Sequence, residues 1–199
     1  MGTLLAFKRP RARTAALSLR ERVQLVLQVL AVLAVLALAP RLVARASGGN
    51  VGTLAQGSAA PNVSAALLAN APEGLPNPAR VDLAALRGRI VVLDFWATWC
   101  GPCNVTSPIL DAFAKAHAAE GVTVVGISQD NDAEDVESWL VRHKVSYVVA
   151  HDSNGSAGRA FSVSNLPTLI LLDREGNIRA RRVGVTQRGE LERLLAAVR

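Results

Sequence analysis

Apolar and polar positions fall into distinct blocks along this 199-residue chain. Residues 23–39 (VQLVLQVLAVLAVLALA) carry no charge, and only Gln24 and Gln28 interrupt the apolar run. At about 1.5 Å per helical residue, the run sits near the short end of what crosses a bilayer. It lacks the polar face of a helix packed on a soluble core, so it predicts a transmembrane helix. Residues 47–60 (SGGNVGTLAQGSAA) have the small, glycine-rich composition of a flexible tether. Residues 61–78, broken by Pro61, Pro72, Pro76 and Pro78, read as irregular chain lying against a domain.

A denser alternation then begins. Residues 90–95 (IVVLDF) form the short apolar run of a buried strand. Residues 102–119 predict a helix, with Pro102 in its first turn and Pro108 kinking it. Residues 122–128 are a second buried strand. Residues 132–143 are a helix with acids in its first turn, as the helix dipole favours. Residues 146–150 predict a strand and 157–161 a short helix. Residues 168–173 and 178–183 are strands around the turn Arg174-Glu175-Gly176-Asn177. Residues 187–198 predict a final helix with Leu191, Leu194 and Leu195 on one face. This order predicts an α/β fold, a central mixed sheet flanked by helices. The first strand-to-helix turn falls at residues 100–103, at the sheet edge where open α/β folds place function.

Charge divides the chain. Residues 1–46 hold eight basic side chains against Glu21 alone, whereas the other 153 residues hold 14 basic and 15 acidic ones. The excess therefore belongs to the N-terminus. A nucleic-acid footprint would lie on the domain face with aromatics between the charges, so nucleic acid is not expected as a partner. Six of the basic residues precede the apolar run, which keeps the N-terminus in the cytoplasm and exports the remainder. The expected organisation is a basic cytoplasmic segment (1–22), a signal anchor (23–39), a tether (40–60) and one domain (61–199), facing the periplasm or cell exterior from the inner membrane. The competing outcome is cleavage near Ala46, where Ala44-Arg45-Ala46 fits a small-x-small site. The length of the run and of its basic flank favours a retained anchor.

The chain has two cysteines, Cys100 and Cys103, in DFWATWCGPC. Two intervening residues place both sulfurs on one turn. Cys100 precedes the helix, where unpaired N–H groups and the helix dipole stabilise a thiolate, the reactive species. Cys103, a turn inside, is expected to be more buried. That asymmetry assigns attack on a disulfide to Cys100 and resolution of the mixed disulfide to Cys103. Resolution needs a base, and Asp94, on the apolar strand leading into the motif, gains a raised pKa if buried. Trp99 is expected to flank Cys100 at the surface, and Trp96 to pack beneath. A structural disulfide of this spacing closes almost no loop and adds little stability. Zinc requires four ligands, and His117, His143 and His151 are not clustered in sequence; they read as surface residues. No metal or cofactor is expected. Asn104-Val105-Thr106 matches a glycosylation sequon, taken as chance because it sits in the motif helix.

At these residues the sequence resembles the thioredoxin superfamily. Leu166-Pro167-Thr168 matches its second signature, where the resemblance implies a cis proline that presents the preceding backbone to an extended substrate. It thereby assigns substrate contacts to Trp99, Gly101, Pro102, Leu166 and Pro167. Ala60-Pro61, LAALRGR at 83–89, GVTVVGIS at 121–128 and residues 138–167 are together similar to TlpA/ResA-type exported thioredoxins. That likeness implies an inserted segment between the motif helix and the cis proline. It also implies disulfide-bearing protein clients, among them apocytochromes c and copper-centre assembly proteins, and an upstream membrane thiol reductant. The chain departs from that pattern at Thr106, where many members have glutamate, and at Asp94, where asparagine is common. Asn165 and Leu166 replace the usual Gly-x, and Gly126 stands where thioredoxin has the lysine partner of its buried acid.

The leading expectation is a membrane-tethered protein-disulfide reductase, because the Gly-Pro dipeptide resembles reducing thioredoxins. An oxidase or isomerase is the alternative within the same chemistry. The central segment also resembles redoxins, but their peroxidases place threonine three residues before the catalytic cysteine, and here that residue is Ala97. A non-catalytic thioredoxin-fold chaperone is the alternative outside catalysis.

Overall fold

A computed structural model describes residues 55–199 and, in the N-terminal segment, residues 20, 23, 24, 27 and 28. The chain divides into two compact units, Met1–Val51 and Gly52–Arg199. The five N-terminal positions are helical and exposed. The rest of the expected anchor at 23–39 lies outside the described residues, among which no helix is long and apolar enough to cross a membrane.

In the second unit the strands are β1 (Ser64–Ala69), β2 (Arg80–Asp82), β3 (Ile90–Trp96), β4 (Val122–Ser128), β5 (Val148–His151), β6 (Thr168–Leu172) and β7 (Ile178–Val183). The helices are α1 (Gly101–His117), α2 (Ala133–His143), α3 (Ser156–Ala160) and α4 (Arg188–Ala196). The sheet runs β2-β1-β5-β4-β3-β6-β7. The β3–β4 and β4–β5 pairs are parallel; β1–β2, β1–β5, β3–β6 and β6–β7 are antiparallel. This is the mixed sheet of a thioredoxin-like fold, with β4, α2, β5 and α3 lying between α1 and the cis-proline strand.

β3 and β4 are buried along their whole length, which is why they read as continuous apolar runs rather than alternating ones. Residues facing one side of β3 (Ile90, Val92, Trp96) pack with Cys103, Leu110 and Phe113 of α1 and with Leu191 and Leu195 of α4. Those facing the other side (Val91, Leu93, Phe95) pack with Val125, Ile127, Phe161 and Ile170. α1 is therefore fixed by a full hydrophobic face, and its N-terminus is held at the C-terminal end of β3.

Two expectations are corrected. Residues 61–78 are not irregular throughout. Ser64–Ala69 forms β1, paired with β5 on one side and β2 on the other, and the prolines lie outside the strand. The tether also ends earlier than Ala60. Gly57 N–H donates to Ile178 O (2.6 Å), Ile178 N–H to Ser58 O (2.8 Å) and Ala60 N–H to Gly176 O (2.9 Å), so this stretch lies along the β6–β7 hairpin.

Candidate active site

α1 begins at the cysteine pair. Cys100 is the N-cap, in extended backbone conformation, with proline in the first turn behind it. The Cys103 N–H lies 3.2 Å from Cys100 Sγ, and the Cys100 carbonyl accepts from Cys103 N–H (3.1 Å) and Asn104 N–H (3.2 Å). The N-cap sulfur shares the Cys103 N–H with the Cys100 carbonyl, an arrangement that also favours negative charge on that sulfur. The two cysteines form a disulfide. Cys103 is 1% exposed and Cys100 6%, the order the turn geometry predicts.

Trp99 is 71% exposed beside Cys100, whereas Trp96 is buried. The Leu166–Pro167 bond is cis. A cleft of about 450 Å³ is lined by Trp99, Cys100, Gly101, Pro102, Ser164, Asn165 and Leu166. Pro167 is buried behind it, and its carbonyl accepts from Gly184 N–H (2.8 Å). The fold thus brings the cysteine turn and the residues before the cis proline to one opening.

Asp94 lies beneath, 1% exposed. Its Oδ1 has no hydrogen-bond partner in the protein, and neither has the buried Trp96 Nε1. Burial raises the Asp94 pKa to about 7, because desolvation disfavours the charged form. Asp94 pairs across the parallel ladder with Gly126. An added Cβ at Gly126 would lie 3.0 Å from Trp96 Nε1 and 3.0 Å from Tyr147 Cε2. Where thioredoxin's lysine would stand, two aromatic edges close the space. Thr106, in place of the acid of many relatives, turns its hydroxyl to the Pro102 carbonyl (3.2 Å) and brings no charge to the pair.

The sequence profile of the Redoxin family matches residues 55–198. The chain belongs to the Redoxin family. It is 27% identical to the thiol-disulfide oxidoreductase ResA of Bacillus cereus (strain ZK / E33L) over 119 residues, covering 60% of this chain and 69% of ResA. Against ResA of Bacillus subtilis (strain 168) it is 31% identical over 102 residues, 51% of this chain and 57% of that one. Among solved structures, a candidate thiol:disulfide interchange protein DsbE from Chlorobium tepidum superposes with a TM-score of 0.65 at 29% identity, over 73% of this chain and 99% of that one. The MTB protein dsbF, solved in mixed oxidised and reduced forms, gives 0.59 at 26% identity, over 69% and 95%. A disulfide at the CxxC turn of this fold, with these relatives, makes this redoxin a thiol–disulfide oxidoreductase.

Two histidines expected at the surface are buried. The His117 ring contacts Glu120 Oε1 through Nδ1 and Glu192 Oε2 through Nε2, both at 3.0 Å. His151 Nε2 lies 2.8 Å from the Asp130 carbonyl. His143 is exposed and stacks on Trp139. Asn104 of the sequon accepts from Trp139 Nε1 (2.8 Å), so its amide serves packing between α1 and α2. Sequence reading missed a polar layer under the cysteine loop, built by Thr98, Ser128, Asp130, His151 and Asp152, and a buried hydroxyl pair, Ser107 and Tyr147, 2.9 Å apart. Ser107 carried one legible signal, its place four residues after Cys103 on the same helix face.

Proposed function

We propose that this redoxin reduces disulfides of exported proteins while tethered to the cytoplasmic membrane by residues 23–39. The single observation that carries the chemistry is Cys100 at the N-cap of α1, opening on the cleft with Trp99 and Leu166, while Cys103 and Asp94 are closed off behind it. In the reduced protein the Cys100 thiolate attacks one sulfur of a client disulfide. The client's other sulfur leaves as thiolate, and a mixed disulfide forms. Asp94, in its charged form, accepts the Cys103 proton. The Cys103 sulfur then attacks Cys100 Sγ, expelling the client's second thiolate and leaving the Cys100–Cys103 disulfide. Two electrons pass to the client, and an upstream membrane thiol reductant must restore the dithiol.

Trp99, Gly101, Pro102 and Leu166 form the client-facing rim, with Pro167 buried behind it. The names of the ResA relatives and the interchange-protein neighbour support the reaction class. Export rests on the uncharged run and the basic residues before it. Apocytochromes c and copper-centre assembly proteins are the client classes that the TlpA/ResA resemblance favours. The test is the reduction potential of the full chain, equilibrated against defined thiol buffers. A value near that of thioredoxin, about −270 mV, is expected; one near DsbA's, about −120 mV, would make the protein a disulfide donor. Cys100→Ser abolishes turnover if the protein is an enzyme and leaves function intact if it is a chaperone.

A further inference from the structure

Asp130 lies in the loop between β4 and α2 and is 3% exposed. Its carboxylate accepts from the Thr98 N–H (3.2 Å to Oδ1, 3.0 Å to Oδ2) and the Thr98 hydroxyl (2.6 Å). It also accepts from the Ser128 hydroxyl at 2.7 Å. Thr98 stands two residues before Cys100, whose own N–H donates to the Ala97 carbonyl (3.2 Å). Asn104 Nδ2 reaches the Thr98 carbonyl from the first turn of α1 (3.4 Å). Both backbone polar groups of Thr98 are therefore engaged.

The carboxylate belongs to a layer that reaches the other wall of the cleft. His151 contacts the Asp130 carbonyl. The neighbouring Asp152 carboxylate accepts from the Ala157 (3.1 Å) and Gly158 (2.8 Å) N–H groups at the start of α3. α3 leads into the 161–167 segment that carries the cis proline. Gln129 bonds Asp152 (3.2 Å), and a Cβ at Gly158 would lie 2.3 Å from Gln129 Oε1. Among the described residues no Lys or Arg meets the Asp130 carboxylate, whose donors are the Thr98 N–H and the Thr98 and Ser128 hydroxyls. Buried polar groups of this kind are costly unless satisfied, and here satisfaction is spent on the loop that carries the reactive sulfur.

We propose that Asp130 is a positioning residue for Cys100, fixing the 97–100 loop through Thr98 and, as a negative charge close to the helix start, making the pair a stronger reductant. A like charge nearby disfavours a thiolate. The Cys100 thiolate belongs to the reduced form, so the charge shifts the equilibrium toward disulfide. This rests on the reading of Cys100 as the attacking thiol.

The experiment equilibrates the full chain with glutathione. Two glutathione thiols reduce the Cys100–Cys103 disulfide to two thiols, and one glutathione disulfide forms. The Cys100 pKa is read in parallel from the pH dependence of its alkylation. Asp130→Asn is expected to move the equilibrium about 3- to 10-fold toward the dithiol, where tenfold equals about 30 mV, and to lower the Cys100 pKa. Asp130→Glu, which keeps the charge, should stay close to the parent. Unchanged equilibrium and pKa in a less stable Asp130→Asn protein would overturn the proposal. Should Asp130→Asn not fold, Thr98→Val keeps the carboxylate and deletes one bond to it. A several-fold slower alkylation of Cys100 is then expected, and parent-like alkylation refutes the positioning role. A parent chain inert toward protein disulfides would sink the reductase reading instead, while the glutathione equilibrium would still report on Asp130.

Discussion

Gly126 stands opposite Asp94 in the β3–β4 ladder, and its missing side chain leaves room for the edges of Trp96 and Tyr147. Both rings are fully packed, Trp96 against Trp139 at a centroid distance of 4.5 Å. Neither can withdraw from a methyl group at 3.0 Å without disturbing the core around the acid. Gly126→Ala is therefore expected to cost about 1–3 kcal/mol, the usual range for overpacking, measured as a drop in the urea midpoint at unchanged slope.

Asp94 couples this packing to pH. Its folded pKa of about 7 lies above the ordinary 3.8, so the folded state binds the proton more tightly than the unfolded chain. The sign follows: the Asp94 contribution to stability is greatest below about pH 4 and is lost as pH rises through about 7. Charging the buried carboxyl costs on the order of 4 kcal/mol relative to water. Asp94→Asn should stabilise the protein at pH 8 by up to that order and do nothing at pH 3.5. Denaturation curves at the two pH values check this, and a gain of equal size at both would assign the effect to packing.

The same group should shape the rate. In its proposed role as acceptor of the Cys103 proton, Asp94 must be charged, so resolution of the mixed disulfide should rise through an apparent pKa near 7. In Asp94→Asn that inflection should vanish and the plateau fall about 100-fold, the lower end of the range for general-base catalysis. Stopped-flow Trp fluorescence during reduction of a disulfide peptide reads the profile. An inflection that survives the substitution would remove Asp94 from the proposed role.

The cysteine turn and β3, β4 and α1 were legible because their signals are local: an apolar run, a capped helix start, a rare residue pair. β1 was not. SAALLA holds no β-branched residue, and what makes it a strand is the free edge of β5, some eighty residues away, which supplies its hydrogen-bond partners. The polar layer was hidden for the same reason. Thr98 and Asp130 are 32 residues apart, and nothing in either neighbourhood names the other. The histidines misled because polarity was taken for exposure. His117 is buried by Phe113 and by two glutamates that compensate its charge.

That histidine ties the end of α1 to α4. Burial alone would pull its pKa down, but the contacts with Glu120 and Glu192 outweigh this and hold it above 6.5. A raised folded pKa means stabilisation that is fully present below about pH 6.5 and lost as pH rises through the folded value. His117→Gln should therefore be less stable than the parent at pH 6, with the deficit shrinking by pH 9. Glu120 also pairs with Arg199, so high salt should narrow the difference at pH 6. Thermal melts across this pH range, with and without salt, test both statements.

Ser107 and Tyr147 present a different balance. Their hydroxyls satisfy one another at 2.9 Å in the buried interior, where Asp94 is buried as well. Burial pushes the Tyr147 pKa well up, and the charge of Asp94 adds to it, so the phenol stays neutral at any working pH. Removing one hydroxyl strands the other: Tyr147→Phe or Ser107→Ala should each cost about 1–3 kcal/mol. The double variant should cost clearly less than the sum, because the second change deletes the group that the first left unsatisfied. A double-mutant cycle by urea denaturation gives the coupling energy. Strict additivity would mean that each hydroxyl has another partner, and that the pair does not act as a unit beside the buried acid.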